Sequence, residues 1–166
     1  LYHLVMSERL IRVGISGQQL ELLEGGKVAA RYPVSTARNG SGERRGSDCT
    51  PRGWHRIRIK IGTDLPLNAV LVGRRPTGEI YSPELANHYP ERDWILSRIL
   101  WLTGLESGFN RGSECDTLRR YIYIHGCPDH KPMGAPLSHG CIRMHNRDLL
   151  ELFDRVDAGD RVFIAG

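Results

Sequence analysis

Apolar and polar residues alternate in short runs through the first third of the chain, and glycine-rich turns separate the runs. Leu10 to Ile15, Gln18 to Glu24 and Lys27 to Val34 read as three strands, the last two joined at Gly25-Gly26, where a tight hairpin needs positive φ. Trp54 to Ile61 sets Ile57, Ile59 and Ile61 against Arg56, Arg58 and Lys60, which predicts a strand with one face buried and one basic. Ala69 to Gly73 is a further short strand, and the Pro-containing stretch 74–91 reads as an irregular cap over a cleft. Trp94 to Leu102 is apolar at 94–96 and 99–102, a pattern that fits a buried strand or a short helix equally well. Tyr121 to Ile124 is β-branched and aromatic enough to be a strand, placing His125 at a strand end. Asn146 reads as the N-cap of a helix with Asp148 in its first turn and Leu149, Leu150 and Phe153 on one face. Gly159 ends that segment and Arg161 to Ala165 returns as a strand. The expected architecture is mainly β, a sandwich of mixed sheets with one clear C-terminal helix.

Composition narrows this picture. A chain of 166 residues suits one domain, 1–166, with a core that needs neither disulfide nor metal. The net charge of +4 favours an acidic partner. The arginines are scattered in pairs (Arg44-Arg45, Arg74-Arg75, Arg119-Arg120) without a recognition helix or stacking motif, which points away from nucleic acid, and a carboxylate-rich peptide fits the charge as well. Cys49, Cys115, Cys127 and Cys141 form no regular disulfide framework. The apolar run at Leu1 to Arg9 is too short for a signal peptide, and no stretch reaches the ~18 apolar residues of a membrane anchor. The expectation is a cytoplasmic protein, or a periplasmic or secreted one whose leader has been removed. No cofactor and no metal are expected.

The chemistry concentrates between Tyr121 and Met144, YIYIHGCPDHKPMGAPLSHGCIRM. A cysteine attacks as its thiolate, and an imidazole beside it can take and store the proton. His139 shares the tight turn of Cys141, whereas His125 arrives from another strand and can approach the sulfur edge-on; His125 is therefore the expected base. Gly140 leaves space for a carbonyl to reach the N–H groups of Gly140 and Cys141, an oxyanion hole worth roughly 3 kcal/mol per donor. On the cap, Tyr81, His88 and Tyr89 are candidates to touch substrate, and Glu106, Asn110 and Arg111 are expected to border the site. The alternatives are a zinc module built from His125, Cys127, His130, His139, Cys141 and His145, and a module that binds a peptide in the same cleft without turnover.

The stretch resembles the catalytic signature of the YkuD-type L,D-transpeptidase family, in which a strand-borne His-Gly precedes Ser-His-Gly-Cys, then Ile or Val, then Arg or Asn. Thr50-Pro51-Arg52-Gly53 resembles the family's Thr-Pro-x-Gly turn, and Asn146 through Ile164 its closing helix and strand. The resemblance favours strand for residues 94–102. It implies Cys141 as nucleophile, His125 as general base and His139 as a supporting residue, with Gly126 orienting His125 through its carbonyl and Ser138 and Arg143 lining the site. It also implies acyl transfer on the tetrapeptide stem of peptidoglycan, cut between the position-three diamino acid and terminal D-alanine, and acylation of Cys141 by carbapenems. With water as acceptor the product is that of an L,D-carboxypeptidase acting on soluble muropeptides, the outcome favoured here. With an amine it is a 3–3 cross-link or an exchanged D-amino acid. Cys127 stands where the family often has Thr, so a Cys127–Cys141 disulfide is considered as a redox off-switch.

Overall fold

The computed structural model describes residues 8–166; the apolar N-terminal run Leu1–Ser7 lies outside the described residues. Ten strands form a single sheet: β1 (Arg9–Gly14), β2 (Gln19–Glu24), β3 (Lys27–Ser35), β4 (Gly53–Ile61), β5 (Ala69–Val72), β6 (Arg75–Ile80), β7 (Ile95–Gly104), β8 (Tyr123–Cys127), β9 (Ile142–His145) and β10 (Arg161–Ala165). Their order is β4-β10-β1-β2-β3-β9-β8-β7-β5-β6, and β4 also pairs with β7. That extra pairing closes eight strands on themselves, so the two faces of the expected sandwich are walls of one continuous sheet. The sheet is mixed, with β1–β10 and β8–β9 parallel and the other pairs antiparallel. Closure satisfies the strand edges of the ring, and only the β5–β6 hairpin extends beyond it.

The enclosed core takes alternate residues from each wall: Ile11 and Val13, Leu20 and Leu22, Ile57, Leu100 and Leu102, Ile124, Ile142 and Met144, Val162 and Ile164. Helix α2 (Asn146–Arg155) adds Leu149, Leu152 and Phe153 to the same core. Residues 94–102 resolve to strand, because β7 is paired on one side with β8 and on the other with β4 and β5.

Three readings change. The stretch 74–91 is not irregular: it holds β6 and a short helix α1 (Pro83–His88), whose Ser82 side chain caps Leu85 N–H. β6 tolerates Pro76 and Gly78 because it is the outermost strand. β8 runs on through Cys127, so His125 sits inside a strand with its backbone held on both sides. Asn146 is the first helical residue, not the cap; the cap position falls to His145, which makes no side-chain capping bond.

Candidate active site

β8 and β9 lie parallel with Ile124 opposite Ile142 and His125 opposite Arg143. Period-two alternation then divides their side chains. Ile124, Ile142 and Met144 enter the core, while Tyr123, His125, Cys141 and Arg143 share the other face. There His125, Ser138, His139, Cys141 and Arg143 line one cavity of about 100 Å³ together with Asp93, Arg120, Tyr121 and Ile122.

The sulfur is held by backbone. Cys141 Sγ donates to Tyr121 O at 3.3 Å and accepts from Tyr123 N–H at 3.3 Å. Burial pushes its thiol up to about 12. His125 Nδ1 lies 2.7 Å from Gly126 O. A carbonyl only accepts, so Nδ1 carries the proton and Nε2 keeps the lone pair a base needs. Burial also lowers the pKa of His125, so thiol and imidazole rest as a neutral pair.

The turn carrying Cys141 is braced internally. Ser138 Oγ donates to Cys141 O at 2.6 Å and accepts from Gly140 N–H at 3.2 Å, while Thr50 Oγ1 donates to Gly140 O at 2.8 Å. One expectation is thereby revised. The Gly140 N–H is occupied by Ser138, leaving Cys141 N–H as the donor of that pair open to an oxyanion, while Ser138 lines the cavity and also braces the turn. The Thr50-Pro51 turn acts by gripping Gly140.

His139 is 65% exposed, with Nδ1 3.6 Å from Asp93 Oδ2; Arg143 donates to Asp93 Oδ1 at 3.1 Å. Asp93, on the loop between α1 and β7, therefore ties the cap to the motif. Nothing local in the sequence marks it. Arg120, Tyr121 and Ile122 were also missed, although their position just before the catalytic strand was a usable signal. Arg120 donates to the carbonyls of Gly42, Glu43 and Cys49, at 3.3, 3.2 and 2.7 Å, and so fixes the loop that walls the site.

Other candidates lie elsewhere. Glu106 and Asn110 brace Gly53 and Trp54, with Glu106 accepting from Trp54 N–H at 2.7 Å and Asn110 donating to Arg52 O at 2.9 Å. Arg111, His88 and Tyr89 are exposed and do not line the Cys141 cavity. Tyr81 packs edge-on against Trp94, 5.1 Å between centroids, and lines a separate cavity. Gly126 supplies its carbonyl to His125 but does not line the Cys141 cavity.

The Cys127–Cys141 disulfide is excluded by register. Cys127 pairs with His145, whereas Cys141 falls beside Tyr123, four residues back and roughly 13 Å along the strand. A disulfide needs Cα atoms within roughly 7 Å. The same spread disperses the zinc candidates, and among the described residues no three His, Cys, Asp or Glu side chains converge as a metal site.

Arg74, at the tip of the β5–β6 hairpin, stacks 4.8 Å from each of the Trp101 and Tyr121 rings and donates to Tyr123 Oη at 3.1 Å. It thus fastens both residues whose backbones hold the sulfur. Arg74→Ala is expected to slow alkylation of Cys141 at fixed pH by roughly tenfold, the loss of about one hydrogen bond to the thiolate. Arg74→Lys should recover part of that rate by keeping the cation over the rings. Iodoacetamide kinetics from pH 7 to 11 check this, and an unchanged profile would refute the coupling.

The L,D-transpeptidase catalytic domain model matches residues 8–164. A 46-residue stretch is 48% identical to YkuD of Bacillus licheniformis, a protein assigned by name to the L,D-transpeptidases, and covers 28% of each chain. The solved L,D-transpeptidase from Mycobacterium smegmatis superposes with a TM-score of 0.61 at 21% identity, covering 96% of this chain and 59% of that one. L,D-transpeptidase 3 from Mycobacterium tuberculosis, solved with a faropenem-derived adduct, gives a TM-score of 0.58 at 16% identity over 95% and 60%. The chain thus spans under two thirds of the length of each of these relatives.

Proposed function

Because the chain belongs to the L,D-transpeptidase catalytic-domain family, we propose that it performs cysteine-dependent acyl transfer on peptidoglycan tetrapeptide stems. The observation that carries the reading is the shared face of β8 and β9, where His125 and Cys141 line one cavity and the imidazole keeps a free Nε2. Cys141 Sγ attacks the carbonyl of the diamino acid, forming a C–S bond as the C–N bond to D-alanine breaks. The thiol proton passes to His125 Nε2 and from there to the leaving amine, while Cys141 N–H faces the developing oxyanion. Water then attacks the thioester, His125 taking its proton and returning it to the sulfur.

Water is the proposed acceptor, making the product that of an L,D-carboxypeptidase. The confined cavity at the sulfur, about 100 Å³, supports this by admitting water more readily than a second stem peptide. The basic groove beside it supports an acidic donor. This groove is about 220 Å³, is lined by Arg45, Arg119 and Asp48, and shares Arg120, Tyr121, Ile122 and His139 with the first cavity.

Mass spectrometry of products from a purified disaccharide-tetrapeptide tests the reading. Tripeptide plus free D-alanine is the expected result. Cross-linked dimers, or exchange of an added D-amino acid, would replace the carboxypeptidase by a transpeptidase on the same thioester. No product and no acyl-enzyme would overturn the assignment.

A further inference from the structure

A cavity larger than the one at the sulfur lies outside the Cys141 site. It measures about 610 Å³, within the roughly 300–1,000 Å³ of small-ligand sites, and lies between helix α1 and the loop after β8. Asn68, Tyr81, Asn87, Asp129 and His130 line it, with Pro83 and Ala86 from α1.

Its rim is built from the interior. Asn146 is 1% exposed, and its side-chain oxygen accepts from Ser97 Oγ at 2.9 Å. Its amide nitrogen reaches Asn68 Oδ1 at 2.9 Å, Cys127 O at 2.8 Å and Asp129 Oδ1 at 3.3 Å. These bonds hold Asn68 and Asp129 in place while leaving the Asn68 amide nitrogen and the second Asp129 oxygen for a ligand. Asn68 itself is kept at φ 68°, the left-handed region, with its N–H on Ser97 Oγ at 2.9 Å. On the opposite wall Ser82 caps α1, and Asn87 of that helix lines the same space.

The chemistry of the lining selects the ligand. Side-chain amides, a carboxylate and an imidazole beside a Tyr ring offer donors and acceptors in the mixture that hydroxyl and acetamido groups match, with an aromatic surface for a sugar face. None of the lining residues is Lys or Arg, and Asp129 repels a carboxylate. The acidic stem is therefore matched by the basic groove beside Cys141, and this cavity by a neutral part of the substrate. We infer that the cavity between α1 and the Cys127–His130 loop is a saccharide subsite for the N-acetylated amino sugars to which the stem peptide is attached. The inference rests on the proposed muropeptide substrate and deepens it.

Two measurements on the full chain test it. The first is D-alanine release from a free tetrapeptide and from the same peptide on its disaccharide, by wild type, Asn87→Ala and Tyr81→Ala. Wild type is expected to show a KM at least fivefold lower for the disaccharide substrate. Asn87→Ala, on an exposed helix face, should erase that advantage while leaving cleavage of the free peptide unchanged; Tyr81→Ala should do the same if folded. Equal KM values in wild type, or equal impairment of both substrates by Asn87→Ala, would mean that the cavity takes peptide or nothing, and would overturn the inference.

The second measurement is calorimetric titration with di-N-acetylchitobiose, a neutral probe that requires no turnover. Binding weakened at least fivefold by Asn87→Ala supports the subsite even if neither peptide is cleaved, in which case it is the proposed reaction that fails. Absence of chitobiose binding overturns the subsite even if both peptides are cleaved.

Discussion

Cys141→Ala protein is expected to release no D-alanine from a disaccharide-tetrapeptide and to gain no mass from a carbapenem, while melting within a few degrees of wild type. The sulfur hydrogen-bonds to Tyr121 O and Tyr123 N–H and packs beside the Leu71, Ile99 and Tyr123 cluster, and no strand pairing runs through it, so its removal leaves the pairings in place. His125 supplies the second half of the prediction. Because burial holds the thiol up to about 12 and the imidazole below its ordinary value, no preformed thiolate waits in the resting site. In the proposed reaction the nucleophile is therefore made as it attacks, by transfer to Nε2. His125→Gln should therefore slow acylation by roughly 10²–10⁴, the range of general-base contributions. His139→Gln, at an exposed side chain whose ion-pair partner is Asp93, should slow it less than tenfold.

The sign of the pH dependence follows from the same shifts. A depressed His125 stays neutral as pH falls below 6.5, so acylation should persist through mildly acidic pH and fail only beneath it. A raised thiol means that alkylation by iodoacetamide keeps climbing above pH 9. A plateau below pH 8.5 would show a preformed thiolate and remove the neutral pair.

How much of this was legible can be argued residue by residue. The meander β1–β3 was readable because alternation and Gly25-Gly26 are local signals, and the motif brought His125 and Cys141 forward because both sit in one short stretch. β9 was hidden: four residues after a turn carry too little pattern, and only its position between β3 and β8 makes it a strand. α1 was missed although Ser82-Pro83-Glu84 is a helix start, with cap, N1 proline and first-turn acid in order. Asp93 and Arg74 had no local signal, since each acts across a chain separation of roughly fifty residues, on Arg143 and Tyr123. Residue type alone makes Asn146 look like a cap. Its amide instead finds partners from Asn68 to Asp129, which no window of sequence displays.

Gly126→Ala is the substitution expected to damage the fold most through one methyl group. Gly126 has no positive φ, so conformational freedom does not explain the glycine. Space does: a Cβ there would meet Asn146 Oδ1 at 2.1 Å and Leu96 O at 2.6 Å. One contact is a buried amide fixed by Ser97, Asn68 and Cys127, and the other is backbone of the neighbouring strand, so neither yields readily. The cost should reach or exceed the top of the roughly 1–3 kcal/mol seen for overpacking. For a chain of this size that lowers Tm by roughly 6–12 °C. The injury should also reach the chemistry, because displacing Gly126 moves the carbonyl that fixes the His125 tautomer. Residual folded protein should therefore acylate more slowly than wild type. Gly17→Ala is the control, a glycine with nothing within 4 Å of its Cβ position and no positive φ, expected to melt within about 0.5 kcal/mol of wild type. If both variants melt alike, packing of Asn146 against Gly126 does not hold the catalytic strand, and the path from α2 through Asn146 to His125 is wrong.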